Sequence, residues 1–314
     1  MSSKAALLWP HKKGPKKVRI VEVGPRDGLQ NEKAIIPTKE KVKFIKGLAK
    51  AGLKEIEVAS FVKVPKIPQM ADSPTLLSQL QTDPELNGIK LITLVPNIQG
   101  MKSALNAGAQ HIAVFTGVSN TFNLANINAT TVESLKRISE VMKIANSENI
   151  PARGYVSTAF GCPFEGKINI KTLRNVMLQL QDMGVHEIAL GDTIGIANPK
   201  QVCQWIDFLS KDFSLDFLTM HFHDSYGRGL VNILASLQMG VTNFDSSAAG
   251  LGGCPYALGA SGNVATEDVY GLLSSLSIET GIDPYKLTSA SKQILLSLGH
   301  QGHSKFLTAF LARS

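Results

Sequence analysis

The chain has 314 residues and a formal charge of +7, but that charge sits at its ends: residues 1–19 carry six basic groups and no acid, and residues 284–314 carry four and no acid. The 22 basic groups between them face all 25 acids, a net of −3, which excludes the basic face of a nucleic-acid binder. A hydrophobic share of 44% with 18% charged residues excludes a disordered chain, and no apolar run reaches the roughly 18 residues of a helical membrane span.

In chain order, residues 1–17 read as a basic arm in which Ala5–Trp9 is too short for a signal-peptide core. Residues 18–314 then read as one catalytic domain. Short β-rich runs occur at Val18–Val23, Glu55–Ala59, Lys90–Val95, His111–Thr116, Ala152–Ser157, Glu187–Leu190, Phe217–Phe222 and Asn243–Ser246. Helix-period stretches fall between them, among them Lys39–Ala51, Thr131–Asn146, Lys171–Met183, Pro199–Leu209 and Gly229–Met239. Gly52, Gly108, Gly184 and Gly240 close helices with the left-handed conformation that glycine adopts freely. Eight βα units at roughly 30-residue spacing predict a parallel (β/α)8 TIM barrel, with an open doubly wound sheet as the other option. Thr266–Leu276 reads as the closing helix and Pro284–Leu298 as a short additional C-terminal helical segment. Cys162, Cys203 and Cys254 have neither disulfide nor metal-site spacing, as in a reduced cytoplasmic protein.

Barrel active sites lie at the C-terminal ends of the strands. Those positions hold Arg26 and Asp27, Glu57, Asp192, His221 and His223, and then Cys254 and Asn263. In His221-Phe222-His223 the two imidazoles share one side of a strand. With Asp27 they make a divalent site, though a pair of satisfied buried histidines fits the motif equally well. Carboxylate and amide donors favour Mg²⁺ or Mn²⁺, and two imidazoles also suit zinc. Arg26 beside Asp27 reads either as a surface ion pair or as an oxyanion stabiliser. Glu57, a charge on an apolar strand, needs a partner. Asp192 reads equally as a cap of backbone amides in the loop after the sixth strand. The stretch Ala249–Asn263 has five glycines in fifteen residues and reads as a lid that carries Cys254.

At these residues the sequence resembles the 3-hydroxy-3-methylglutaryl-CoA lyase family, within a metal-dependent barrel superfamily of lyases and synthases. Gly24-Pro25-Arg26-Asp27-Gly28 and His221-x-His223 are superfamily motifs. Gln30-Asn31-Glu32, Ser60-Phe61-Val62, Pro68-Gln69-Met70, Gly161–Gly166 and Gly191–Gly195 are closer to the lyases. Gly252–Ala257, Gly259–Asn263 and Ala265–Asp268 discriminate best.

The resemblance implies divalent-metal-dependent retro-Claisen cleavage of 3-hydroxy-3-methylglutaryl-CoA to acetyl-CoA and acetoacetate. A sibling synthase condensing an acyl-CoA with an α-keto acid is the alternative, against which the Cys254 loop counts. By resemblance Asp27, His221, His223 and Asn263 hold Mg²⁺ or Mn²⁺, and Arg26, Cys254, His221, Asp192 and Glu57 are catalytic. Glu267 is supporting. The implied partner is a small acyl-CoA substrate, with no nucleic acid and no membrane, and the assembly implied is a homodimer. A bacterial-type cytoplasmic form without thiol regulation is expected, since Ala312-Arg313-Ser314 differs from the tripeptide ending of the animal enzymes. By topology Lys292 and Lys305 belong near the CoA phosphates, and Lys12, Lys13, Lys16 and Lys17 at the opposite end.

Overall fold

A computed structural model describes residues 14–62, 67–253 and 262–313. Strands β1 (Arg19–Glu22), β2 (Glu55–Ser60), β3 (Lys90–Leu94), β4 (His111–Gly117), β5 (Ala152–Ser157), β6 (Glu187–Asp192), β7 (Leu218–Phe222) and β8 (Asn243–Ser246) lie in chain order. They form a closed barrel, each paired in parallel with the next. Closure sets Arg19 of β1 beside Asn243 of β8, and Glu22 beside Ser246.

The helices are α1 (Thr38–Lys50), α2 (Ser73–Gln81), α3 (Ile98–Asn106), α4 (Asn120–Ile127), α5 (Thr131–Ser147), α6 (Ile170–Asp182), α7 (Pro199–Leu209), α8 (Gly229–Gln238) and α9 (Thr266–Ser275). Two more, α10 (Pro284–Leu298) and α11 (Lys305–Leu311), follow the barrel. Local chemistry marks their ends. At the start of α5 the Thr130 hydroxyl accepts from the Glu133 amide, and the Glu133 carboxylate accepts from the Thr130 amide at 2.7 Å. At the predicted helix ends, Gly52, Gly108, Gly184 and Gly240 have φ of 104°, 87°, 95° and 93°.

The main apolar core lies between strands and helices and includes Leu48, Ile56, Leu77, Val114, Leu180, Ile206 and Phe222. A smaller cluster of Val21, Val23, Ile92, Leu94, Ala113, Tyr155 and Ala189 fills part of the barrel interior. Charged and polar side chains occupy the rest.

The strands fall within a residue or two of their predicted positions. One difference bears on the site. The sequence places Asp192 in the loop after the sixth strand, whereas pairing with Phe222 of β7 makes it the last residue of β6. The α11 helix extends the predicted C-terminal segment. At the N-terminal face Lys17 bridges to Glu279, and Val18 N donates to Glu279 O, so Lys16 and Lys17 lie at the end away from the C-terminal ends of the strands. Lys12 and Lys13 lie outside the described residues.

Candidate active site

The chain leaves β1 through a single π-helical turn, Gly24–Gly28, in which the Gly28 amide donates to the Val23 carbonyl five residues back. Such turns are rare and recur at functional sites. This one sets Arg26 and Asp27 side by side at the barrel mouth. A Cβ on Gly24 would stand 2.6 Å from Glu22 Oε1 and push that carboxylate off the Gly24 amide it accepts from.

Arg26 is buried, at 6% exposure, which corrects the surface ion-pair reading. Its Nη1 donates to Asp27 Oδ1 at 2.9 Å, and its Nη2 lies 2.6 Å from Glu57 Oε2. Tyr155 closes the group: its hydroxyl donates to Glu57 Oε2 at 3.0 Å, and its ring faces the guanidinium at 5.4 Å. Glu57, fully buried on β2, therefore has the partner that burial demands.

Opposite them, β7 carries His221 and ends just before His223, both nearly buried, with Phe222 packed outward against Phe160. One ligand atom from each of Asp27, His221 and His223 lies within 4.8 Å of the others. Asn263 completes the cluster. It bridges to His223 through its backbone, and its Nδ2 donates to Asp27 Oδ2 at 2.8 Å and to Leu251 O at 3.1 Å. Gly252 must be glycine, since its φ is 117° and a Cβ would meet Asn263 Nδ2 at 2.5 Å.

The electrostatics suit a cation. Burial would raise Asp27, but Arg26 and the two histidines hold it down at about 2, so it is a carboxylate. Burial and then His221 lower His223 to about 4, which keeps it neutral and able to donate a lone pair. His223 also lies against the Thr193 backbone, and no side chain among the described residues hydrogen-bonds its Nδ1. Burial opposes a charge on His221, yet Asp245 and then Asp27 raise it. One carboxylate, two imidazoles and an amide fit a divalent cation.

Asp192 is 1% exposed and accepts from the Ala197 amide at 3.1 Å, so the amide-holding reading is met. Burial also raises its carboxyl to about 7, so it can hold or release a proton near neutrality. Glu267, in the first turn of α9, accepts from the Ala249 amide with both oxygens, at 3.0 and 2.9 Å, and from the Ser291 hydroxyl. Its bonds hold the segment after β8 rather than reaching the cluster. Cys254 lies outside the described residues.

The sequence reading missed Glu22, Arg153, Tyr155 and Asp245. Glu22, Arg153 and Asp245 carry the signal that singled out Glu57, a charge on a short apolar strand.

A closed parallel barrel whose C-terminal mouth holds a carboxylate and two imidazoles beside a buried arginine defines the class: a (β/α)8-barrel enzyme with a centre suited to a divalent cation. Residues 17–294 match the HMGL-like family model, and the chain belongs to that family. It is 48% identical over 299 residues to the mitochondrial hydroxymethylglutaryl-CoA lyase of Arabidopsis thaliana, and the match covers 95% of this chain and 63% of that longer protein. The hydroxymethylglutaryl-CoA lyase of Pseudomonas aeruginosa has the same fold at TM-score 0.92 and 43% identity, covering 96% of this chain and 99% of the other. An HMG-CoA lyase from Acinetobacter baumannii, in complex with coenzyme A and 3-methylmalate, matches at TM-score 0.89 and 36% identity, covering 94% and 95%. Among the described residues no helix is long and apolar enough to cross a membrane.

Proposed function

We propose that this chain cleaves 3-hydroxy-3-methylglutaryl-CoA into acetyl-CoA and acetoacetate by breaking the C2–C3 bond. The observation that carries the reading is the cluster of Asp27, His221 and His223 at the barrel mouth with Arg26 bonded to Asp27.

Asp27, His221, His223 and Asn263 would hold Mg²⁺ or Mn²⁺, whose charge lowers the cost of removing the proton from the substrate's C3 hydroxyl. As that proton leaves, C3 becomes the ketone of acetoacetate and the electrons of the breaking bond pass to the thioester as an enolate. Arg26 stabilises this developing charge. Its guanidinium is already aimed by Glu57 and Asp27, so it needs no reorganisation during the reaction. Glu57 and Tyr155 keep the arginine in place. Asp192 is the buried group able to hold a proton beside the substrate, and His221 serves the site as a ligand. Cys254 is assigned the proton that the enolate carbon takes up to give acetyl-CoA. Glu267 supports the segment from β8 to Asn263 through Ala249.

The acyl-CoA assignment draws on the coenzyme A complex of the Acinetobacter relative. Lys305, whose residue opens α11, is the proposed phosphate contact: His303, two residues earlier, donates its amide to Ala249 O beside the site. The same resemblance implies a homodimer. A cytoplasmic setting fits the two described cysteines, Cys162 and Cys203, which are free thiols. A citrate-synthase-coupled assay of acetyl-CoA release, with and without Mg²⁺, tests the reaction. Metal-dependent release is expected, and no release from this thioester would refute it.

A further inference from the structure

The barrel interior holds charges that the proposed reaction does not use. Glu187 on β6, Arg153 on β5 and Asp245 on β8 are all buried. Arg19 Nη2 lies 2.5 Å from Glu187 Oε2, Glu187 Oε1 lies 3.0 Å from Arg153 Nη2, and that same nitrogen lies 2.8 Å from Asp245 Oδ1. Asp245 Oδ2 then meets His221 Nδ1 at 3.0 Å. The series starts in a cavity of about 410 Å³ at the N-terminal mouth, lined in part by Arg19, Arg153 and Glu187, and ends on a proposed metal ligand. Buried ion pairs are weak contributors to stability, and well-packed apolar side chains would often serve as well. Something other than stability is a better account of this one.

The geometry at its upper end supplies that account. His221 and Asp245 are direct neighbours across β7 and β8. A carboxylate at Nδ1 makes that nitrogen the donor and leaves the lone pair on Nε2. Nε2 is the atom that faces Asp27, 3.9 Å from its Oδ2. The other Asp245 oxygen is held by Arg153, which keeps the carboxylate from turning away. Tyr155 meets the imidazole edge-on, with centroids 5.9 Å apart at 85°, and limits its tilt. His223 differs, since no carboxylate is bonded to its Nδ1 among the described residues.

We propose that Asp245 is a positioning residue that fixes the tautomer and tilt of His221, presenting Nε2 as a ready cation ligand, with Arg153 clamping Asp245. This deepens the proposed function and rests on its metal assignment but not on its substrate.

Two measurements test it. In the metal-free wild-type protein, ¹⁵N NMR of labelled histidine is expected to find His221 Nδ1 protonated; a bare Nδ1 overturns the proposal. Asp245→Asn can turn an amide N–H toward Nδ1, so the Mn²⁺ dissociation constant, read by EPR without substrate, is expected to rise about 10- to 100-fold. Thr219→Val is the structural control. It removes the hydrogen bond from Thr219 to Glu187 but neither residue is Asp245 or His221, and Mn²⁺ affinity should stay within about twofold. Asp245→Asn with wild-type affinity, an equal loss in Thr219→Val, or no Mn²⁺ binding by the wild type would each overturn the proposal. Should Asp245→Asn fail to fold, the wild-type NMR measurement decides. Looser Mn²⁺ binding in Asp245→Asn, with no acetyl-CoA released by the wild type, would refute the substrate and leave this inference standing.

Discussion

Glu22 makes a sharp test of how the site is held. Fully buried at the end of β1, it accepts with Oε1 from the Gly24 and Ala248 amides, both at 2.8 Å. It thereby joins the turn that supplies Asp27 to the segment that leads to Asn263. Its Oε2 lies 2.6 Å from the Thr266 hydroxyl, which lies 2.8 Å from Ser246 Oγ. Burial raises this carboxyl from an ordinary 4.5 to about 8, overcoming the hydrogen bonds that favour its charge. Between those pH values the folded protein keeps a proton that the unfolded chain has lost, so stability falls as pH rises. The contribution is complete below pH 4.5 and gone above about 8. At about 1.4 kcal/mol per pH unit it amounts to about 5 kcal/mol, of which about 3 to 4 kcal/mol falls between pH 5 and pH 8. Glu22→Gln keeps an acceptor for the two amides, can donate to Thr266 Oγ1, and cannot ionise. Urea unfolding of both proteins at pH 5 and pH 8 should show wild-type stability dropping relative to the variant by that amount. Parallel pH profiles, within about 1 kcal/mol, would refute the assignment of a buried neutral carboxyl.

Other outcomes follow from the same geometry. Arg26→Lys replaces a planar fork that serves Asp27 and Glu57 at once with a point charge, and kcat should fall about 100- to 1000-fold with little change in KM; near-normal kcat would remove the oxyanion role. Cys254→Ala should cut turnover strongly while Mn²⁺ affinity stays near normal, and equal loss of both would argue against proton donation by this residue. His223→Ala should lose metal on dialysis, and unchanged metal content would count against it as a ligand.

Much of the fold was legible because each βα unit announces itself. A short β-branched run and an amphipathic stretch after it recur at regular spacing, a glycine closes the helix before β2, β4, β6 and β8, and the strands were bounded within a residue or two. Asp27, His221 and His223 were legible for a related reason: strand alternation puts both imidazoles on one side, and barrel logic puts that side at the mouth. The π-helical turn was not legible, since a five-residue hydrogen-bond step has no sequence period of its own. Nor was the chain of charges from Arg19 to Asp245. Its four members lie on four different strands, and only closure of the barrel brings each within 3 Å of the next. Arg26 misleads for a similar reason: beside Asp27 it reads as a surface pair, and Glu57 and Tyr155, which bury it, come from β2 and β5.

In the proposed reaction the cluster at the barrel mouth breaks the C2–C3 bond of one thioester with the help of a divalent cation. Carbon-13 NMR of labelled 3-hydroxy-3-methylglutaryl-CoA, mixed with protein first stripped of metal by EDTA and then given Mg²⁺, tests it most directly. Acetyl-CoA and acetoacetate should appear in equal amounts after Mg²⁺ is added and not before. Equal product formation in the stripped protein, or release of free coenzyme A with the six-carbon acid intact, would contradict it.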